Sequence, residues 1–213
     1  MPLKFLTAVL QLIGFATGCA GCFLSMVVIK HPEWKLWIID KTDMYKAGIT
    51  RIGIWKICFP PNLKGAEEYS VLCCHNFAFF DKFFPVEMKV AQILTTVASV
   101  LAFLGLVFLF LTPWNIFFRN LTRKKTRWLL ISGGILYLLA GICILVPISW
   151  SVHSVSTNKS IPFPSSFSLP LMPIEQRNGD AIYLGFMSGI LLLASGICII
   201  LQGVISPRII IPI

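Results

Sequence analysis

Four long stretches of this chain contain no charged side chain, and they constrain its fold more than any other feature. They cover residues 5–29, 90–114, 128–150 and 181–204. Each is longer than the roughly 20 apolar residues that cross a bilayer as a helix, so we predict four transmembrane helices. Only 13% of the residues are charged, which argues against an ordinary soluble domain. The first stretch exceeds the apolar region of a typical signal peptide and is expected to remain as a helix.

The charged residues divide unequally between the two sides of these helices. Four helices place both termini and the loop 115–127 on one side, which carries seven basic residues and no acidic one: Lys4, Arg119, Arg123, Lys124, Lys125, Arg127 and Arg208. The other side holds all nine acidic residues and the remaining eleven basic ones. The positive-inside rule therefore predicts cytosolic termini. A second interpretation of the basic loop is that it contacts anionic lipid. The net charge of +9 is then mainly a topology signal and indicates no nucleic-acid partner.

The predicted helices lack the chemistry of an enzyme or a transporter. No ionisable side chain interrupts them, whereas substrate pathways through membranes are usually marked by such residues. The chain has no catalytic grouping or phosphate-binding loop, and three isolated histidines, His31, His75 and His153, do not suggest a metal site. We therefore expect no enzymatic activity, no cofactor and no metal.

Small residues are frequent in the predicted helices instead. Gly14 with Gly18, and Gly185 with Gly189, form two Gly-x-x-x-Gly pairs that allow helix backbones to approach closely. Packing within the chain is the favoured interpretation, and contact with a neighbouring protomer is the alternative.

The long loop over residues 30–89 is expected to be extracellular and to contain β-structure. Three patches rich in β-branched and aromatic residues, at 34–39, at 52–58 and around 71–73, indicate strands. They predict a small antiparallel sheet above the membrane.

The same loop holds the three cysteines that lie outside the apolar stretches. An extracellular compartment permits a disulfide, and we expect Cys58 to pair with Cys73 or with Cys74, which leaves one thiol over. Closing a loop of about 15 residues would contribute on the order of 3 kcal/mol in the chain-entropy model.

The second extracellular loop, residues 151–180, is about half as long and rich in serine and proline. We expect it to be irregular apart from a possible short strand near its start. It contains Asn158 in the sequence Asn-Lys-Ser, which is a candidate N-glycosylation site.

Motifs along nearly the whole chain resemble the claudin family. The family pattern consists of Pro-x-Trp after the first helix, Gly-Leu-Trp-x-x-Cys, and a second cysteine. Its counterparts here are Trp34, Gly53, Trp55, Cys58 and Cys73. The segments entering the second helix, Pro85 to Gln92, and the fourth, Gly179 to Phe186, are also similar to claudin segments. The peripheral-myelin, lens-fibre and receptor-auxiliary relatives of claudins share this pattern.

The resemblance implies an all-α membrane protein forming a single claudin-like domain over residues 1–213. Its fold would be a left-handed four-helix transmembrane bundle capped by a small extracellular antiparallel sheet. It also implies that Trp34, Trp55 and the Cys58 disulfide hold the sheet on the bundle. Gln92 departs from the family pattern, because it replaces a basic residue that is thought to support the first loop.

For function, the resemblance implies a tight-junction structural protein at cell–cell contacts of the plasma membrane. Claudins polymerise with other claudins within one membrane and pair with claudins of the adjacent cell, which forms a paracellular barrier or a charge-selective pore. Loop charges would set ion preference. The candidates here are Lys56, Lys64, Glu67 and Glu68. An auxiliary or regulatory membrane subunit of the same superfamily is the alternative function.

Residues 205–213 are expected to form a cytosolic tail, which would be shorter than a usual claudin tail. Ile211 and Ile213 could suit the groove of a PDZ scaffold protein, which captures a C-terminal carboxylate and adds the peptide as a strand. The intervening Pro212 removes one of the backbone donors that such a strand would use.

Overall fold

A computed structural model describes residues 2–39, 48–59, 73–79, 83–119, 123–164, 169–170 and 172–205 of the chain. The side chains of 2–4, 113–119 and 123 are not described. Four helices are long and apolar enough to cross a membrane. They are α1 (Pro2–Lys30), α2 (Val86–Arg119), α3 (Arg123–Ser156) and α4 (Asp180–Ile205). The prediction of four membrane-spanning helices with a small antiparallel sheet is confirmed.

Helices α2 and α3 extend beyond the apolar stretches that predicted them. The segment expected as the loop 115–127 is mostly helical, because α2 continues to Arg119 and α3 starts at Arg123. Arginine and lysine are good helix formers, so a charged segment continues a helix out of an apolar environment. At its other end α3 continues to Ser156, past Trp150.

The sheet is antiparallel and has five strands in the order β4-β3-β2-β1-β5. The first loop supplies β1 (Lys35–Ile39), β2 (Gly48–Ile52), β3 (Lys56–Phe59) and β4 (Cys73–Asn76). The second loop supplies β5 (Glu175–Asn178), which pairs with β1 from Lys35↔Asn178 to Ile38↔Glu175. The prediction of a short strand near the start of the second loop is wrong. Helix α3 covers that segment, and the loop's strand, β5, lies at its end.

The chain divides into two compact units. The helical unit comprises residues 1–26, 95–145 and 186–213, and the sheet unit comprises residues 27–94 and 146–185. The core of the helical unit contains Tyr137, which is fully buried among Cys22, Ala102, Leu192 and Ile199.

Small residues bring α1 and α4 together in the helical unit. A side chain added at Gly18 would meet Ser195 Oγ and the Tyr137 ring, at 2.7 and 3.0 Å from its Cβ. Ser195 Oγ donates a hydrogen bond to the carbonyl oxygen of Gly14 at 2.6 Å, and Ser188 Oγ donates to that of Gly21 at 2.9 Å. Gly14 and Gly18 therefore pack within the chain, which is the interpretation that the sequence favoured for them.

The core of the sheet unit is aromatic. Trp37 on β1 is fully buried and packs edge-on against Phe163, with ring centroids 5.3 Å apart. Phe77, which follows β4, lies 4.6 Å from Phe84 and 6.4 Å from Phe163, again between ring centroids. These rings connect the segments flanking β4, the start of α2 and the second loop around one core.

Candidate functional site

Trp34 joins three segments of the sheet unit. Its side chain is fully buried, and its Nε1 donates a hydrogen bond to the carbonyl oxygen of Val28 at 3.1 Å. Its own backbone N–H donates to Ile52 O at 3.0 Å, and its carbonyl oxygen accepts from the N–H of Gly179 at 3.1 Å. Trp34 therefore fixes the end of α1, strand β2 and the segment after β5 relative to one another.

Gly53 is required by a close approach of backbone. A Cβ at this position would lie 2.8 Å from the carbonyl oxygen of His31 and 3.0 Å from Pro32 Cα. Its N–H donates to Lys56 O at 2.8 Å, which closes the turn between β2 and β3. Trp55 in this turn is half-buried, and its carbonyl oxygen accepts a hydrogen bond from Phe77 N–H at 2.8 Å. The tight Gly-x-Trp turn thus holds the chain beyond β4 as well.

The disulfide joins Cys58 to Cys74, with Cα atoms 4.1 Å apart. Of the two partners that the sequence left open, Cys73 is thus the wrong one. The register explains the choice, because Cys74 lies directly opposite Cys58 across β3 and β4, whereas Cys73 faces Phe59. Cys73 is a free, exposed thiol.

Gln92 supports the sheet although it is not basic. Its side chain is 1% exposed, and its Nε2 donates a 2.6 Å hydrogen bond to the carbonyl oxygen of Ile54 in the β2–β3 turn. A neutral amide donor here satisfies a backbone acceptor without burying a charge. Gln92 therefore supports the β2–β3 turn from helix α2. It acts together with the signature residues Trp34, Gly53 and Trp55, which also fix parts of the sheet unit.

A buried ion pair lies in the sheet unit, and the sequence predictions did not include it. Lys35 Nζ donates to Glu87 Oε1 at 2.5 Å and to Ser154 Oγ at 2.8 Å, and Ser154 Oγ donates to the same Glu87 oxygen at 2.6 Å. The Lys35 side chain is completely buried and that of Glu87 is 9% exposed. This Lys35–Glu87–Ser154 triad connects strand β1 to the start of α2 and to the last turns of α3.

Burial is the main influence on the Lys35 ammonium. Desolvation lowers the pKa of Lys35, while the hydrogen bond and the charge of Glu87 act in the opposite direction. Strand alternation could have indicated that Lys35 is buried, because Lys35 shares the buried face of β1 with Trp37 and Ile39. A lysine on a buried face requires an anionic partner.

The loop charges proposed from the sequence are only partly described. Lys56 is half-buried on β3, whereas Lys64, Glu67 and Glu68 lie outside the described residues, as do Ile211 and Ile213 of the tail. Two further ion pairs lie among the described residues of this unit: Arg51 on β2 with the half-buried Glu33 before β1 at 2.9 Å, and the exposed pair Arg177 and Glu175 on β5 at 2.7 Å. The Arg177 hydrogen bond lowers the pKa of Glu175.

Asn158 is exposed and ends helix α3. Its φ of 48° lies in the left-handed region, which asparagine tolerates better than most residues. The N–H of Lys159 donates to Ser154 O, and the N–H of Asn158 to Val155 O, each at 3.1 Å. This pair of bonds is a Schellman motif, so Asn158 occupies the position where glycine most often ends a helix.

These features define the class of protein: a four-span membrane protein whose two loops form one disulfide-linked antiparallel sheet. Residues 19–201 match the family model described as PMP-22/EMP/MP20/Claudin tight junction. The chain belongs to this family.

Curated claudins are similar to the chain over most of its length. Human claudin-2 is 24% identical over 192 residues, which are 88% of this chain and 76% of that protein. Human claudin-6 is 24% identical over 92% of this chain and 80% of its own length. Rat claudin-3 is 26% identical over 88% and 79%, respectively. The relatives therefore support a claudin, that is, a multi-pass membrane protein of tight junctions.

Proposed function

We propose that this chain polymerises side by side within one membrane and pairs with copies or other claudins on the adjacent cell. The assembly would seal the space between cells or leave a charge-selective pore in it. The observation that carries this proposal is the pairing of β5 with β1, which makes both loops part of one continuous sheet. A surface built from both loops can present contacts to neighbours as a unit, whereas two independent loops would first have to be ordered.

The supports of the sheet favour this role. Assembly into strands requires a preorganised surface, because each flexible segment ordered on binding reduces the net affinity. The Cys58–Cys74 disulfide, the Trp34 hydrogen bonds and the buried Lys35–Glu87 pair all restrict the sheet unit. We expect the second loop to contribute to contacts between cells.

Expression in cells that lack junction strands tests the proposal. The protein should concentrate at contacts between two expressing cells, and freeze-fracture should show strands at those contacts. Uniform surface staining without strands would contradict the proposal and favour an auxiliary membrane subunit instead. The matched control is Cys73→Ser, which leaves the Cys58–Cys74 disulfide intact.

Ion preference follows from the loop charges in this proposal. Lys56, Lys64, Glu67 and Glu68 are candidate pore residues, since a ring of one sign attracts ions of the opposite sign. Paracellular conductance measured with sodium and chloride substitution should change in selectivity when Lys56 is replaced by Gln. The control is Arg177→Gln, because Arg177 already pairs with Glu175. Equal selectivity of both variants with the native protein would exclude Lys56.

We also propose that both termini are cytosolic, as the basic residues of the sequence indicate. Glycans are attached only on the luminal side, so Asn158 is the acceptor expected to be used and Asn120, also in a sequon, should be silent. A gel shift abolished by Asn158→Gln and unaffected by Asn120→Gln supports this orientation, and the reverse result contradicts it. Binding of a PDZ domain by Ile211 and Ile213 is tested with a tail peptide and its Ile213→Ala variant.

A further inference from the structure

An open apolar groove of about 380 Å³ lies in the helical unit, near the first turns of α1 and the last turns of α4. One wall is a face of α1 formed by Ala8, Gln11, Leu12 and Phe15, which follow the helical spacing i, i+3, i+4, i+7. Residues of the other three helices complete it. The volume falls within the range of small-molecule sites, which is about 300–1,000 Å³.

An unsatisfied amide lines this groove. The Gln202 side chain is only 7% exposed, and its Oε1 has no hydrogen-bond partner among the described residues. A buried polar atom without a partner is costly. Gln11, on the α1 wall, is exposed within an apolar span. The groove therefore has two amides and the Thr112 hydroxyl, which already donates to Phe108 O at 2.9 Å, and the rest of its lining is apolar.

The amides lie at the headgroup end of the groove. Gln202 precedes Gly203, at which an added Cβ would be 3.3 Å from Leu130 Cβ and 3.8 Å from Arg127 O. Arg127 ends a run of basic residues of the kind found at the membrane surface. Phe15 is one helical turn, about 6 Å, deeper than Gln11. It packs edge-on against Phe110, with ring centroids 5.2 Å apart. Polarity thus falls with depth into the membrane.

The lining restricts the chemistry of an occupant. Its described residues include no Asp, Glu, Lys, Arg or His, so none of them would form an ion pair with a phosphate or a carboxylate. A hydroxyl, in contrast, both donates and accepts, so it can pair with the Gln202 amide in either orientation of that amide. A rigid ring system loses less conformational entropy on binding than a flexible acyl chain. These conditions together describe a sterol.

We propose that this groove is a sterol-binding site. The sterol hydroxyl pairs with the Gln202 amide, and the ring system packs against Phe15 and Phe110. The inference concerns the helical unit alone and is independent of the proposed function of the sheet.

Photolabelling of the full chain in membranes tests the proposal. The probe is a sterol that carries a diazirine and an alkyne, and the labelled peptides are mapped by mass spectrometry. Label should appear on the segments around Phe15 and Phe110 and should be displaced by unlabelled sterol. The epimer with an inverted hydroxyl, diacylglycerol and phosphatidylcholine should compete at least about fivefold more weakly, since each fails either the hydroxyl geometry or the ring contact.

Two variants distinguish a specific site from general membrane labelling. Gln202→Leu removes the amide and should weaken sterol competition about fivefold. Ala8→Trp fills the groove and should remove most of the label. Its matched control is Ala20→Trp, on the same helix, exposed and outside the groove. Disulfide formation and the helical circular dichroism signal show whether each variant folds.

Four outcomes would overturn the proposal. They are label that unlabelled sterol does not displace, equal labelling of Ala8→Trp and Ala20→Trp, equal competition by diacylglycerol, and unchanged competition in Gln202→Leu. Two other results would replace the sterol with a different occupant. Label that appears only after deletion of residues 206–213 would make the chain's own tail the occupant. The other is a native protein that forms oligomers and does not take up the probe, while Ala8→Trp is monomeric. That result would assign the groove to a second copy of the chain.

Discussion

The two units of this protein are stabilised by different interactions. The helical unit is held by small residues at its helix contacts and by serine hydroxyls that donate to backbone carbonyls, as Ser195 does to Gly14. The sheet unit is held by a disulfide, a buried ion pair and a cluster of aromatic rings. In lipid there is no hydrophobic force between helices, so close backbone approach has to replace it. The sheet unit, with most of its residues outside the apolar spans, uses charge, covalent linkage and aromatic burial.

The largest effect expected from this difference is at the buried ion pair. Glu87→Leu leaves the Lys35 ammonium buried without its partner, and removing one member of a buried pair typically costs about 3–5 kcal/mol. We expect the apparent melting temperature in detergent micelles to fall sharply and surface delivery to be lost. The double variant Lys35→Met/Glu87→Leu should recover most of both, because no charge is left unpaired.

The exposed pair on the same sheet is the control for this result. Glu175→Gln should change the melting temperature little, since exposed ion pairs contribute little to stability. A Glu87→Leu variant as stable as Glu175→Gln would show that the triad does not support the sheet unit.

The disulfide is expected to have the second largest effect. Cys58→Ser and Cys74→Ser should be retained in the secretory pathway to the same extent, because loss of a native disulfide typically costs about 2–5 kcal/mol. Cys73→Ser should reach the surface normally, and the native protein should react with one equivalent of an impermeant maleimide at Cys73. Surface biotinylation measures delivery. Retention of Cys73→Ser together with normal delivery of Cys74→Ser would show that Cys58 pairs with Cys73 and not with Cys74.

The sequence predicts the helical unit better than the sheet unit. Uncharged length alone identified the four helices, because only a helix satisfies its backbone in lipid without outside partners. Strand β5 was not predicted, because its sequence Glu-Gln-Arg-Asn has low β-propensity. It forms a strand by pairing with β1.

Other features of the site depend on register or on distant partners. The sequence could not decide between Cys73 and Cys74, because adjacent residues point to opposite faces and the register was unknown. Lys35 and Glu87 are separated by 52 positions, and no local pattern joins them. The signature residues Trp34, Gly53 and Trp55 were found through family resemblance, whereas the bonds that they make became visible only in the structure.

An intermediate effect is expected where helices approach closely. Gly18→Leu places a side chain where a Cβ alone already lies 2.7 Å from Ser195 Oγ and 3.0 Å from the Tyr137 ring. Overpacking of this kind costs about 1–3 kcal/mol, so the apparent melting temperature of the helical unit should fall. Ala16→Leu, at an exposed position of the same helix, should have little effect. Equal stability of the two variants would mean that α1 and α4 are not in close contact at Gly18.

The smallest effect is expected from the serine hydroxyls, and it tests the comparison most directly. Ser195→Ala removes a donor to Gly14 O but leaves no buried donor unpaired, and interhelical hydrogen bonds in membranes average about 0.6 kcal/mol. The melting temperature should therefore fall only slightly, and the same holds for Ser188→Ala at Gly21. If Ser195→Ala were instead as damaging as Glu87→Leu, polar bonds would stabilise both units alike. Close packing would then not distinguish the helical unit from the sheet unit. Gly18→Leu would instead destabilise the helical unit by displacing Ser195 from its hydrogen bond to Gly14.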